Sequence, residues 1–125
     1  EAGVVAIFAG QMRRQEPVTI EGDGGQTRDF VFVTDVRDAI VRALDHPETD
    51  VVNIGTGRAT SVNQLFEQLA RIAGYTTPPT RVAARPGDVR DSLLDVGRAA
   101  AVLGWRAETP LDDGLRQTYA ALSVT

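Results

Sequence analysis

The stretch EGDGGQTRDFVFVTDVRDAI, residues 21–40, carries the reading of the fold. A glycine-rich turn leads into the charged pair Arg28 and Asp29, and then into an apolar run. That run, DFVFV (29–33), is rich in β-forming residues and predicts a strand. Thr34 is then the expected N-cap of a helix over about 35–45, with Val36, Ile40, Ala43 and Leu44 as its apolar stripe. A turn, a short strand and a short helix thus follow one another within 25 residues. The arginine at the root of the strand needs a reason, because a charge taken out of water without a partner is costly.

The same alternation extends in both directions. Upstream, Val4 or Val5, Phe8 and Met12 recur at helical spacing, Arg13 and Arg14 suit a helix C-terminus, and Pro17 closes the segment. VTI (18–20) predicts a short strand. Downstream, Pro47 lies past the end of the second helix, and VVNI (51–54) reads as a strand buried on both faces. SVNQLFEQLARIAG is the clearest helix: Ser61 and Gln64 form a capping box, Val62, Leu65, Leu69 and Ile72 make the stripe, and Gly74 ends it. TRVAA (80–84) predicts a strand, and Asp95 the cap of a short helix ending at Gly104. Thr109 as N-cap with Pro110 behind it opens a last helix, with Leu111, Leu115 and Leu122 inward. The sum is one α/β (or α+β-like) domain of short strands alternating with helices.

Composition excludes several functions. A chain of 125 residues supports one core, and a net charge of -4 provides no global attraction for nucleic acid or an anionic membrane. Arginine supplies all 13 basic residues. The absence of cysteine removes disulfides, thiolate metal sites and cysteine nucleophiles; the single histidine, His46, reads as a solvated residue at a helix end, so a histidine metal cluster is excluded within this sequence and no Ser-His-acid arrangement is credible. No apolar run is long enough to span a bilayer, and none has signal-peptide flanks, so a cytoplasmic location is expected.

Four features invite a ligand. NIGTGRATSV imitates the strand, G-x-G and helix of a dinucleotide site, but the third glycine position is Thr60 and no acid follows at the required distance; turn chemistry is the better reading of Gly55 and Gly57. Arg28, between a rigid turn and a strand, divides evenly between a local ion pair with Asp29 or Asp23 and a phosphate fork. Arg85 and Asp88 project from one RPGD loop, as an internal salt bridge or as a joint grip on a phosphate and a sugar hydroxyl. Tyr119 has no lysine anywhere in the sequence to lower its pKa, and Trp105 reads as core.

In combination, VTIEGDGGQTRDFVFVTDV, NIGTGRATSV, RPGDVRDSLLD and LGWRAETPLDDGL, in this order, resemble the C-terminal part of the extended short-chain dehydrogenases. These are NAD-dependent sugar-nucleotide epimerases and dehydratases, with the UDP-hexose 4-epimerases nearest in pattern, and the resemblance runs over essentially the whole chain. It implies that Arg28 and Arg85 clamp the diphosphate of a nucleoside diphosphate sugar and that Asp88 bonds the nucleotide ribose. It implies further that Thr19 and Ile20 supply backbone along the base, and that Ser92 gates bulky sugar substituents, its small size admitting an N-acetyl group. Glu21 stands where many relatives carry an aromatic residue against the base, so UDP is the first choice and dTDP and other nucleotides stay open.

The resemblance also implies what lies elsewhere. The family's glycine-rich NAD loop and its Tyr-x-x-x-Lys pair have no counterpart in this sequence. The chain is therefore expected to be a C-terminal lobe without its N-terminal Rossmann domain, carrying no catalytic, cofactor-binding or metal residue and holding no NAD itself. The parent enzyme would pass a hydride from the sugar to NAD and back. Residues 51–54, deprived of sheet neighbours, should be exposed, mispaired or covered by another copy of the chain. A non-catalytic sugar-nucleotide sensor and a reductase of non-nucleotide substrates, which would not need both Arg28 and Arg85, are the alternatives.

Overall fold

A computed structural model describes residues 3–122. Its first helix, α1 (Val4–Arg13), buries Phe8, Ala9 and Met12, as the helical spacing requires. The short strand β1 (Thr19–Glu21) follows, then the glycine turn and β2 (Thr27–Arg28). Helix α2 spans Val33–Leu44. Beyond it lie β3 (Thr60–Ser61), α3 (Val62–Ala73), β4 (Thr80–Val82), α4 (Gly97–Leu103) and α5 (Leu111–Ala121). The mixture of helices and short strands is the expected α/β class.

The strands pair in two small ladders. β1 and β4 run parallel, with Ile20 opposite Arg81 and Glu21 opposite Val82. β2 and β3 run antiparallel, with Thr27 opposite Ser61 and Arg28 opposite Thr60, and Thr27 also bridges to Asp91. The main core lies where α1, α3 and α5 close over β1: Met12, Val18, Ile20, Leu65 and Leu69 are fully buried there. Phe66 meets Phe8 and Tyr75 edge-on, each at 6.2 Å between ring centroids, the favoured geometry for aromatic pairs. The Tyr75 hydroxyl donates to the Glu16 carbonyl at 2.8 Å. Arg13 lies 4.3 Å from the centre of the Tyr119 ring, so this tyrosine helps join α1 to α5.

A second, smaller core joins α2 to α4 through Ala39, Ala99 and Trp105. The Trp105 indole N–H donates to the Asp35 carbonyl at 2.9 Å. The buried Asp35 carboxylate in turn accepts the Thr109 N–H at 3.0 Å. Trp105 is thus core, as expected.

The capping box is present as written: Ser61 Oγ accepts the Gln64 N–H and Gln64 Oε1 accepts the Ser61 N–H, at 3.1 and 2.9 Å. Gly74 closes α3 in the left-handed conformation. Other boundaries differ. The 29–33 run is not a strand: only β2 finds a partner, and the helix begins at Val33 behind an extended Phe32, so Thr34 lies inside the helix rather than capping it. Pro110, not Thr109, is the N-cap of α5, and the Thr109 N–H is already engaged by Asp35. Asp95 accepts the Gly97 N–H at 3.0 Å from one position before the N-cap, Val96. His46, read as a solvated helix-end residue, is half-buried, with Nε2 3.9 Å from Asp50.

The largest departures concern apolar surface. Residues 51–54 pair with no strand among the described residues, and Val51 is 83% exposed. Strand conformation has no hydrogen bonds of its own, so an apolar run without a neighbour remains irregular. The α2 stripe likewise faces outward, with Ile40 and Leu44 exposed beside Val33 and Val41, while Ala39 is the residue buried against α4. Leu122 is also exposed, whereas Leu111 and Leu115 pack inward as expected. Among the described residues no helix is long and apolar enough to cross a membrane.

Candidate functional site

The glycine turn between β1 and β2 is held from three sides. Asn63, in the first turn of α3, donates its backbone N–H to the Gly24 carbonyl at 2.9 Å and its side-chain amide to the Asp23 carbonyl at 2.8 Å. Arg81 on β4 reaches the same Asp23 carbonyl at 3.1 Å. Gly24 has φ +71°, where a side chain is strained, and a Cβ there would run into the Asn63 amide, so glycine suits this turn.

Against this rigid turn lies the loop that follows β4. Thr27 donates its N–H to the Arg90 carbonyl at 2.8 Å and accepts the Ser92 N–H at 3.1 Å. Its hydroxyl donates to Asp91 at 2.9 Å. These bonds stitch the arginine-rich loop to β2. They bring together residues that are far apart in sequence, and a cavity of about 300 Å³ opens between turn and loop, lined by Glu21, Asp23, Gln26, Arg85, Asp88 and Arg90 among others.

The cavity's arginines are each paired, in unequal ways. Arg90 binds Asp23 through both nitrogens, at 2.8 and 3.2 Å. That fork, with the Gly25 N–H, lowers the Asp23 carboxyl from 3.8 to about 2, and the carboxylate raises the Arg90 guanidinium in return. Arg85 has one contact, 3.1 Å to Glu21 Oε1. Arg28 donates to the carbonyls of Thr27 and Arg90, at 2.6 and 3.3 Å, and stands 3.5 Å from Asp88 Oδ1. Arg85 and Asp88 therefore line one concavity, while Arg28 lies outside the lining and touches it through Asp88 and the Arg90 carbonyl. The local pairs considered from the sequence, Arg28 with Asp29 or Asp23 and Arg85 with Asp88, are not the ones formed.

The other expected site residues fall outside the lining. The Ile20 side chain is in the main core, Thr19 is exposed on β1, and Ser92 is exposed with its N–H spent on Thr27. Arg90 and Glu21 are central to the cavity's charge. Glu21 stood out in the sequence only as a departure from an aromatic pattern, and Arg90 carried no local signal.

The GTG turn is filled by the chain itself. The Asp29 carboxylate accepts the N–H groups of Thr56 and Gly57, each at 2.9 Å, and the Thr56 hydroxyl at 2.5 Å. A Cβ on Gly55 would meet Asp29 Oδ2 at 2.7 Å. A dinucleotide needs such N–H groups free for its pyrophosphate, so this turn is turn chemistry rather than a pyrophosphate loop. Arg58 and Arg106 line a neighbouring cavity of about 360 Å³, but the turn's donors are already engaged there.

At the rigid glycine turn three arginines, Arg28, Arg85 and Arg90, thus gather with three carboxylates, Glu21, Asp23 and Asp88, and the guanidinium forks among them suit an anion while the acids suit hydroxyl groups. The sequence profile of the GDP-mannose 4,6 dehydratase family matches residues 3–118. The chain belongs to this family. Its GDP-mannose 4,6 dehydratase-family relatives include the UDP-glucose 4-epimerase of Mycolicibacterium smegmatis, 43% identical over 119 residues, a match covering 94% of this chain and 38% of that enzyme. The structure of a UDP-glucose 4-epimerase from Thermotoga maritima, solved with UDP-glucose, superposes with a TM-score of 0.95 at 48% identity, covering 98% of this chain and 40% of that one. The Thermus thermophilus UDP-glucose 4-epimerase, solved with NAD, gives 0.83 at 34% identity, covering 100% and 41%. The expected resemblance to extended short-chain dehydrogenases of the UDP-glucose 4-epimerase type is thus borne out. The chain spans about two fifths of the length of these relatives.

Proposed function

We propose that this chain is the substrate-binding part of an NAD-dependent sugar-nucleotide epimerase or dehydratase, a cytoplasmic enzyme. The cavity between Glu21 and Asp88 receives the diphosphate of a nucleoside diphosphate sugar. Arg28 and Arg85 take the phosphate oxygens, and Asp88, released from Arg28, accepts a ribose hydroxyl. Thr19 and Ile20 contribute backbone along the base, and Ser92 bounds the sugar. A UDP-hexose is the first choice of substrate, in keeping with the ligand and names of the relatives above.

The reading is supported by Arg85 and Asp88 lining one charged concavity, with Arg28 reaching Asp88 at 3.5 Å from a separate segment and Glu21 holding Arg85 at 3.1 Å. The anchor binds ground state and transition state alike, so this part contributes affinity, while the hydride chemistry and NAD belong to the remaining length of the enzyme. That remainder is proposed to cover the exposed apolar residues of α2, Val33, Ile40, Val41 and Leu44, and Val51 in the segment 51–54; association through 51–54 with a second copy is the substitute when it is absent.

Calorimetric titration with UDP and UMP tests the proposal. Saturable binding of one UDP per chain, tighter than UMP because the second phosphate engages the second arginine, is expected. Equal affinities for UDP and UMP contradict the diphosphate clamp.

A further inference from the structure

The ion pairs around the cavity differ in build, and the difference assigns a role to Glu21. The Arg90–Asp23 fork is two-pronged, and Asp23 is further tied to the Gly25 N–H at 2.8 Å. Both side chains stand in solvent, 60% and 67% exposed, so it is the number of bonds that sets this pair apart. Arg85, by contrast, has its single contact with Glu21, and its side chain is 67% exposed against 36% for Glu21. The two residues are also mounted differently. Glu21 ends a paired strand: its neighbour Gly22 donates its N–H to the Val82 carbonyl at 2.8 Å, and the Gln26 side chain holds the Glu21 carbonyl at 3.2 Å. Arg85 stands on the fully exposed loop after β4. Glu21 is the post and Arg85 the arm.

We propose that Glu21 is a built-in counter-ion for Arg85, holding the guanidinium when the cavity is empty and yielding it to a phosphate group when ligand enters. This rests on the diphosphate reading above. An exposed, one-contact ion pair is weak and exchanges readily. A phosphate offers several charged oxygens to the same planar fork and wins the exchange. After it, the Glu21 carboxylate is left beside the bound anion, and like charges at that range repel. Glu21 therefore lowers affinity for every anionic ligand, and most for the most highly charged. The result is a site that releases its nucleotide more readily than Arg28 and Arg85 alone would, and in which Glu21 sets the strength of the phosphate grip.

The test is titration of UDP and UMP, at low and high salt, into the chain and its Glu21→Gln, Glu21→Ala and Arg85→Gln variants, with thermal unfolding as the check on folding. Glu21→Gln keeps the shape of the side chain and removes its charge. It is expected to tighten UDP binding about three- to tenfold at low salt, less for UMP, with the gain shrinking as salt rises. Glu21→Ala gives the same direction. Arg85→Gln weakens UDP at least about tenfold. If both Glu21 variants bind UDP no more tightly than the parent while Arg85→Gln still loses affinity, the counter-ion role is overturned and the diphosphate reading stands. If Arg85→Gln binds UDP undiminished, it is the diphosphate reading that fails.

Discussion

Arg28 Nη2 lies 3.5 Å from Asp88 Oδ1, and the same guanidinium donates to the carbonyl of Arg90 on the far side of the loop. One side chain on β2 thus reaches both ends of the segment 88–90, and the long contact to Asp88 is the one a ligand can displace.

Replacing Arg28 by glutamine should lower UDP affinity by about tenfold or more, since charge-assisted hydrogen bonds are lost. Arg28→Lys should recover only part of the loss, because an ammonium keeps the charge but lacks the planar fork. The unfolding free energy should fall by roughly 1–2 kcal/mol in the glutamine variant, because the long ion pair to Asp88 is weak but the bonds to the Thr27 and Arg90 carbonyls go with it. Calorimetry and urea unfolding on the same samples separate the two effects.

Asp23 should titrate near 2, and Arg90→Gln should return it toward 3.8, because the Arg90 fork is the largest cause of its depression. A carboxyl depressed in the folded state stabilises it above the unfolded pKa. That contribution is lost as pH falls from about 3.8 through about 2. Carboxyl carbon NMR over this range reads it directly; an Asp23 that titrates at its ordinary value with Arg90 intact contradicts the fork.

Asp29→Ala should destabilise the chain by roughly 2 kcal/mol, because the N–H groups of Thr56 and Gly57 lose a charged acceptor. Chemical denaturation gives the value, and amide exchange at these two residues should rise with it.

Phe66→Ala should cost roughly 3–5 kcal/mol, through lost burial and the cavity left between Phe8 and Tyr75. A midpoint unchanged in urea contradicts the placement of the main core.

The sequence made some elements plain and left others hidden, for physical reasons. Helix α3 was legible because its signals are local: Ser61, Gln64 and Gly74 act on their own backbone neighbourhood, and the stripe of Val62, Leu65 and Leu69 is buried by it. The runs at 29–33 and 51–54 misled because a strand needs a partner that no local pattern reveals, and beside the first run it is the adjoining Thr27 and Arg28 that find one. Ile40 and Leu44 show the same limit for a helix, where apolar spacing states which face seeks burial but not whether something covers it. At the candidate site, Arg28, Arg85 and Asp88 announced themselves by standing beside rigid glycine and proline turns. Their partners did not: Arg85 with Glu21, Arg90 with Asp23 and Asp29 with Thr56 are joined between segments far apart in sequence.

The most direct test is a crystal structure of the chain with UDP bound. The guanidinium groups of Arg28 and Arg85 should both lie within hydrogen-bond distance of oxygens of the same diphosphate, with Asp88 turned to the ribose and Glu21 freed from Arg85. A diphosphate seated elsewhere, or bound here while either arginine stays on its own acid, contradicts the account.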